Sequence, residues 1–130
     1  MIKRALPLAA LMAMSCTCVA DDLYSDGYTT CLDQSGGVTV AMIDCIANEL
    51  AAQDARLNAA YKKLGTQLSA SRKQQLVAAQ RLWVQYRDAN CAFHADPDGG
   101  TMARVAANEC VLRETAERAN ELAILGSSPD

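Results

Sequence analysis

The chain has 130 residues, a formal net charge of −3 and a composition that is 51% hydrophobic but only 5% aromatic. That length accommodates one domain of ordinary size. Alanine occurs 24 times while valine and isoleucine together occur 11 times, which favours helices and argues against a sandwich, a barrel or a parallel sheet. The acidic balance argues against a nucleic-acid-binding protein, which usually carries a basic face. Composition therefore predicts a small all-α domain.

The first twenty residues have the layout of a secretory signal peptide. Lys3 and Arg4 precede an apolar run over residues 5–14, and residues 18–20 end on the small side chain of Ala20. The run is too short for a permanent membrane anchor. We expect cleavage after Ala20, a single helical domain over residues 21–130, and a periplasmic or secreted protein. Loss of the two basic residues shifts the formal net charge from −3 to −5.

A lipoprotein signal is the alternative at this end of the chain. In that case Cys16 or Cys18 would be acylated and would become the new N-terminus. Residues 13–15 (Ala-Met-Ser) form a poor version of the leucine-led box that normally precedes such a cysteine. Lipid anchoring is therefore the less favoured of the two interpretations.

Four cysteines remain after cleavage, and in a short exported chain they predict two disulfides. Three pairings are possible. We favour Cys31–Cys45 and Cys91–Cys110, because each pair flanks a turn-rich stretch between helical segments. A four-cysteine zinc site is the competing use, but it would normally include a Cys-x-x-Cys pair, which the chain lacks.

Apolar periodicity predicts a short leading helix and three main helices. The leading helix covers residues 24–34 and stops at the Gly pair 36–37. The main helices cover residues 40–68, 72–92 and 101–125, the second opened by a capping box at Ser71 and Gln74 and the third by Thr101. The expected fold is a small antiparallel bundle held by two disulfides. The apolar faces are Ile46, Leu50, Leu57, Tyr61, Leu64 and Leu68, then Leu76, Ala79, Trp83 and Tyr86, then Val105, Leu112, Ala116, Ala119 and either Leu122 or Ala123.

The residue types in the sequence give little evidence for catalysis or cofactor binding. His94 is the only histidine, so a nucleophile would depend on this one residue for its base. Residues 96–100 (Asp-Pro-Asp-Gly-Gly) resemble the start of a calcium loop, but the later ligands are missing. Glu49 and Asp54 are available as a glycosidase-like carboxyl pair, although helical carboxylates are ordinarily at the surface or in salt bridges. We expect a protein that is not an enzyme and needs no cofactor or metal.

The densest polar cluster, residues 80–88, predicts a structural network between helices. Arg87 follows Trp83 by four residues, so its guanidinium can lie over the indole. Arg81 or Arg87 is expected to reach Asp54 and Asn58 on the preceding helix; a recognition patch is the alternative. The network residues are Asp54, Asn58, Arg81, Trp83, Arg87 and Asp88.

Several motifs resemble the LprI-like lysozyme-inhibitor family of bacterial envelope proteins. They are Cys45, Glu49, Asp54-x-x-Leu57-Asn58-x-x-Tyr61, Gln80-Arg81-x-Trp83-x-x-Tyr86-Arg87-Asp88-x-x-Cys91, Gly99-Gly100-Thr101, Cys110 and Thr115-x-x-Arg118-x-x-Leu122. The resemblance covers nearly the whole chain after the signal, from Cys31 to Leu125. It implies a small secreted helical domain, with inhibition of lysozyme reported for a founding lipoprotein member.

The sequence is consistent with two functions of different classes, an inhibitor and a structural module. The first is a non-enzymatic inhibitor of C-type lysozyme, a strongly cationic partner toward which an acidic domain is steered. Its binding element would be the segment between Cys91 and Cys110, with Phe93, His94, Asp96 and Asp98 in contact with the partner. The alternative for these four residues is that Phe93 caps the core and the rest only connect two helices. The second function is a structural or adaptor module of the envelope without lysozyme inhibition.

Overall fold

A computed structural model describes residues 23–127, and within them the chain forms four helices and no strand. They are α1 (Asp26–Gln34), α2 (Thr39–Gln67), α3 (Ala70–His94) and α4 (Gly100–Leu125). The predicted all-α bundle, with three main helices and a short leading one, is confirmed. The predicted signal peptide lies outside the described residues. No helix of the described part is long and apolar enough to cross a membrane.

Helix α4 is the centre of the bundle and packs against both α2 and α3. It runs parallel to α2, since Arg56 hydrogen-bonds Asn120 and Gln67 donates to the carbonyl of Gly126. It runs antiparallel to α3, since Cys91 pairs with Cys110 while Gln80, earlier in α3, accepts from Arg118. Helices α2 and α3 are consecutive in the chain, yet their backbones hardly approach each other.

Two apolar clusters form the core between α2 and α4. Tyr28, Cys45, Ile46, Val105 and Leu112 form the first. The second consists of Leu57, Leu64, Ala119 and Leu122, with Trp83 and Leu76 of α3 packed against it. Val105, Leu112, Ala116, Ala119 and Leu122, which were predicted for the apolar face of α4, are all buried, whereas Ala123, the alternative to Leu122, is exposed.

The predicted disulfides, Cys31–Cys45 and Cys91–Cys110, are confirmed. The first joins α1 to α2 and the second joins α3 to α4. Both lie in the half of the bundle that also contains residues 95–99, which we call the disulfide half. The opposite end, with the α2–α3 connection at residues 68–69 and the C-terminal turns of α4, is the turn half. Paired cysteines are consistent with an extracytoplasmic protein.

The glycine pair between α1 and α2 ends the leading helix, as predicted. Gly36 and Gly37 have φ of +59° and +78°, a left-handed backbone that side chains with a Cβ rarely adopt. The predicted starts of α3 and α4 are wrong. Helix α3 is capped by Ser69, whose hydroxyl accepts from the amide of Arg72, and the N-cap of α4 is Gly99. Ser71 and Thr101 lie inside their helices.

The apolar face of α3 is also narrower than the sequence suggests. Ala79 is exposed and Tyr86 is 57% exposed, whereas Leu76 and Trp83 are partly buried. Cys91 is the only fully buried residue of this helix among those described. The cause is the arrangement of the bundle, because the backbone of α3 lies close to that of α4 alone and only one narrow stripe of α3 is covered.

Candidate functional site

The segment between α3 and α4 forms a short projection from the disulfide half. Helix α3 ends at His94 and α4 begins at Gly100, so five residues connect them. The disulfide ties the two helices just behind, with 5.4 Å between the Cα atoms of Cys91 and Cys110. We call residues 93–99 the tip. Its base cannot spread without breaking a covalent bond.

Backbone and side-chain contacts fix the shape of the tip. The carboxylate of Asp96 accepts from the amide of Asp98 at 2.9 Å, and the amide of Gly99 donates to the carbonyl of Asp96 at 3.0 Å. A Cβ on Gly99 would lie 2.8 Å from that of Ala103, and Gly100 has φ of +65°. The two glycines are therefore needed for the turn into α4, and the hydrogen bonds within residues 96–99 hold that turn.

The tip presents an apolar ring next to polar groups. Phe93 is 84% exposed, the most exposed of the large apolar side chains described. Its ring lies 6.1 Å from that of His94, edge to face. The alternative in which Phe93 caps the core is therefore wrong. An exposed aromatic ring on a disulfide-held projection is a feature typical of binding surfaces.

The carboxylates of the tip are free to meet a partner. Asp96 and Asp98 are exposed, and neither forms an ion pair with another residue in the described range 23–127. The structure thus brings together Phe93, His94, Asp96 and Asp98 on one short segment. An apolar ring, an imidazole and two unpaired carboxylates can bind a cationic surface, but they contain no activated nucleophile.

The polar network of α3 joins α4 rather than α2. The guanidinium of Arg87 lies 5.1 Å from the centre of the Trp83 ring, bonds Asp88 at 2.8 Å and donates to the hydroxyl of Thr115. Arg118 of α4 covers the same indole at 5.9 Å and donates to Gln80. Two guanidinium groups thus contact the Trp83 ring, and each is fixed by a hydrogen bond across the α3–α4 interface.

The structure differs from the expectation for Asp54 and Asn58. Their side chains are exposed and bond each other at 3.4 Å, and neither contacts Arg81 or Arg87. Arg81 itself has no hydrogen bond or ion pair within the described chain. The reason is that the backbone of α3 lies close to α4 and not to α2, so Asp54 and Asn58 stay on an exposed face of α2.

Glu49 is a buried carboxylate whose role the sequence did not reveal. Only 5% of this residue is exposed, and its carboxylate accepts from the amide of Ser25 (2.9 Å), the hydroxyl of Ser25 (2.5 Å) and the amide group of Gln53 (2.6 Å). Gln53 also donates to the carbonyl of Leu23. Glu49 therefore fastens the start of α1 to α2, and its carboxylate is occupied by these donors, whereas Asp54 is exposed.

Protonation of Glu49 is expected to loosen this attachment. Burial of the carboxyl works against ionisation, but hydrogen bonds from Ser25 and Gln53 outweigh it and lower the pKa of Glu49. A lowered pKa in the folded state stabilises the protein above the ordinary pKa, and this stability is lost as pH falls through the folded pKa. We expect Glu49→Gln to lower the free energy of unfolding by about 1–3 kcal/mol at neutral pH, measured by urea denaturation.

The matched control is Asp54→Asn, an exposed carboxylate on the same helix, which should change stability by less than about 0.5 kcal/mol. The difference between the wild type and Glu49→Gln should shrink as the pH is lowered. A difference that stays constant down to acid pH would contradict the role of the ionised carboxylate.

Within residues 23–127 there is no group of three or more His, Cys, Asp or Glu side chains that could hold a metal ion.

The lysozyme inhibitor LprI family matches the chain over residues 31–122, a span that includes both disulfides and the tip. No curated protein and no solved structure matches it. Because the match covers more than two thirds of the sequence, the chain belongs to the lysozyme inhibitor LprI family.

Proposed function

We propose that this protein is a periplasmic or secreted, non-enzymatic inhibitor of C-type lysozyme that binds the enzyme through the tip. Membership of the family suggests the partner. The observation that carries the choice of surface is Phe93, which is 84% exposed at the end of a disulfide-held projection. A projection that is rigid before binding loses little conformational freedom on contact, and this favours affinity.

The chemistry of the tip suits the substrate cleft of a lysozyme. That cleft binds sugars between two carboxyl groups and belongs to a strongly cationic protein. Phe93 would occupy an apolar sugar subsite, and the imidazole of His94 would hydrogen-bond a catalytic carboxyl. Asp96 and Asp98, which lack ion partners of their own, would meet basic residues at the rim of the cleft.

Long-range charge supports the same partner. After the predicted cleavage the domain carries a formal net charge of −5, since Lys3 and Arg4 leave the chain that starts at −3. Opposite net charges raise the rate of association, and the effect weakens as salt screens the charges.

The double variant Phe93→Ala with His94→Ala is expected to lose inhibition at least about a hundredfold, because centrally placed aromatic anchors often contribute 2 kcal/mol or more each. Folding should survive, since both side chains are exposed. The measurement is clearing of a peptidoglycan suspension by C-type lysozyme, with inhibitor titrated. The matched control is Leu82→Ala, a 67% exposed apolar residue of α3 outside the tip.

A second variant separates charge from shape. Asp96→Asn with Asp98→Asn keeps the acceptor for the amide of Asp98, whereas alanine at position 96 would remove it. Added salt should weaken the wild type more than this variant. Unchanged inhibition by both folded tip variants would move the contact to the acidic face of α4 around Glu114, Glu117 and Glu121. No binding of lysozyme by the wild type in calorimetry would favour the adaptor function instead.

A further inference from the structure

A cleft in the turn half opens between α2, α3 and α4, far from the tip. Its volume is about 350 Å³, within the range of about 300–1,000 Å³ that is typical of small-molecule sites. Five of its ten lining residues are leucines, and we call it the leucine cleft. They are Leu64, Leu68, Leu76, Leu122 and Leu125.

The leucine cleft has a closed floor and an open mouth. Leu64 and Leu122 belong to the second core cluster, are almost completely buried and form the floor. Leu125, at the end of α4, is 52% exposed. The cleft exists because α2 and α3 diverge from their short connection instead of packing on each other along their length. Apolar surface in such a concave site gains free energy when an apolar ligand covers it.

The arginine side chains that line the leucine cleft indicate the charge of its ligand. Arg72 of α3 lines the cleft, and its guanidinium donates to Gln75 but forms no ion pair within the described part of the chain. The other lining cation, Arg118, is occupied by Glu121, Gln80 and the Trp83 ring. Arg72 is thus the cation at this site that is available to an anion, and a guanidinium binds carboxylate or phosphate with two parallel hydrogen bonds.

We propose that the leucine cleft binds a single-chain amphiphile with an anionic head group. The acyl chain covers the leucines, and the head group lies against Arg72. A second acyl chain exceeds the available volume, and a cationic head group would meet Arg72 with like charge. Both a free fatty acid and a lysophospholipid carry the required chemistry. Binding here does not involve the tip and is independent of the proposed inhibition of lysozyme.

The chain contains its own reporter for this site. Trp83 is the only tryptophan, and it packs on the same cluster that forms the floor of the leucine cleft. Dodecanoate and a dodecanoyl lysophosphatidylglycerol, each titrated below its critical micelle concentration, should change the emission of Trp83 in a saturable way. Removing two methylenes from the chain should weaken binding roughly tenfold. Tighter binding of one probe than the other identifies the preferred head group.

Three variants test the assignment. Arg72→Gln should weaken dodecanoate binding about tenfold or more, while Lys73→Gln, which removes the neighbouring exposed cation, should leave it within about twofold. Leu125→Glu places a carboxylate in the mouth and should abolish binding; circular dichroism checks that this exposed position tolerates the change. Non-saturable titrations, or equal affinity for dodecyltrimethylammonium, would overturn the proposal. Arg72→Gln should still inhibit lysozyme, because the leucine cleft and the tip are separate sites.

Discussion

Replacing Cys91 and Cys110 by serine is expected to lower the free energy of unfolding by about 3 kcal/mol and to abolish inhibition of lysozyme. The stability loss follows from the loop of 19 residues that the disulfide closes in the unfolded chain. The loss of inhibition follows from the position of the bond directly behind the tip, where it holds the ends of α3 and α4 together. Urea denaturation measures the first effect and the clearing assay the second.

The other disulfide provides a matched control. Replacing Cys31 and Cys45 by serine opens a loop of 14 residues and should also cost about 3 kcal/mol. This variant leaves the base of the tip intact, so inhibition should persist at temperatures where the protein is folded. Equal loss of inhibition in both variants would show that inhibition depends on general stability, and the proposed role of the tip would then fail.

Trp83→Ala is expected to destabilise the fold by about 2–4 kcal/mol. The indole packs against the core cluster of Leu57, Leu64 and Leu122, and removing it leaves a cavity at the α3–α4 interface. It also leaves the guanidinium groups of Arg87 and Arg118 without the ring that both cover. The value lies at the lower end of the range for a large aromatic, because part of the ring is exposed.

Tyr86→Ala is the control for Trp83, since Tyr86 is an aromatic residue of the same helix but is 57% exposed and outside the core clusters. It should cost less than about 1 kcal/mol. Thermal or urea unfolding, measured in parallel for the two variants, compares their losses of stability. A loss below about 1 kcal/mol for Trp83→Ala would contradict its place in the interface.

The sequence predicted the helices and both disulfides because these depend on neighbours along the chain. Helix α2 repeats apolar residues at helical spacing, and the pair Gly36–Gly37 cannot easily continue a helix. Each disulfide closes across a single turn, so the pairing of Cys31 with Cys45 needs no knowledge of the rest of the fold. Local rules suffice for such features.

Features that depend on which helices pack together were not predictable in the same way. The expectation that Asp54 and Asn58 receive arginines of α3 assumed that consecutive helices are neighbours along their full length. In the structure Arg87 instead reaches Thr115 on α4. The exposure of Phe93 has the same origin, because the backbone of its helix lies close to α4 alone.

The N-caps show how competing local signals are resolved. Ser69 and Ser71 are both good caps by residue type, and only Ser71 has a glutamine three residues later. The helix nevertheless begins earlier, at Ala70, where the hydroxyl of Ser69 accepts from the amide of Arg72. At α4 the turn of Gly99 and Gly100 leaves Thr101 already inside the helix.

Each disulfide closes within one helical hairpin, α1–α2 or α3–α4, and neither crosses the connection at residues 68–69. The most extensive packing, between α2 and α4, instead joins the two hairpins. The molecule is therefore two covalently closed pieces that meet through a non-covalent interface, with only Leu68 and Ser69 between them. Cleavage at that connection would leave two cross-linked fragments with complementary apolar faces. The same geometry allows hairpins to be exchanged between two copies of the chain.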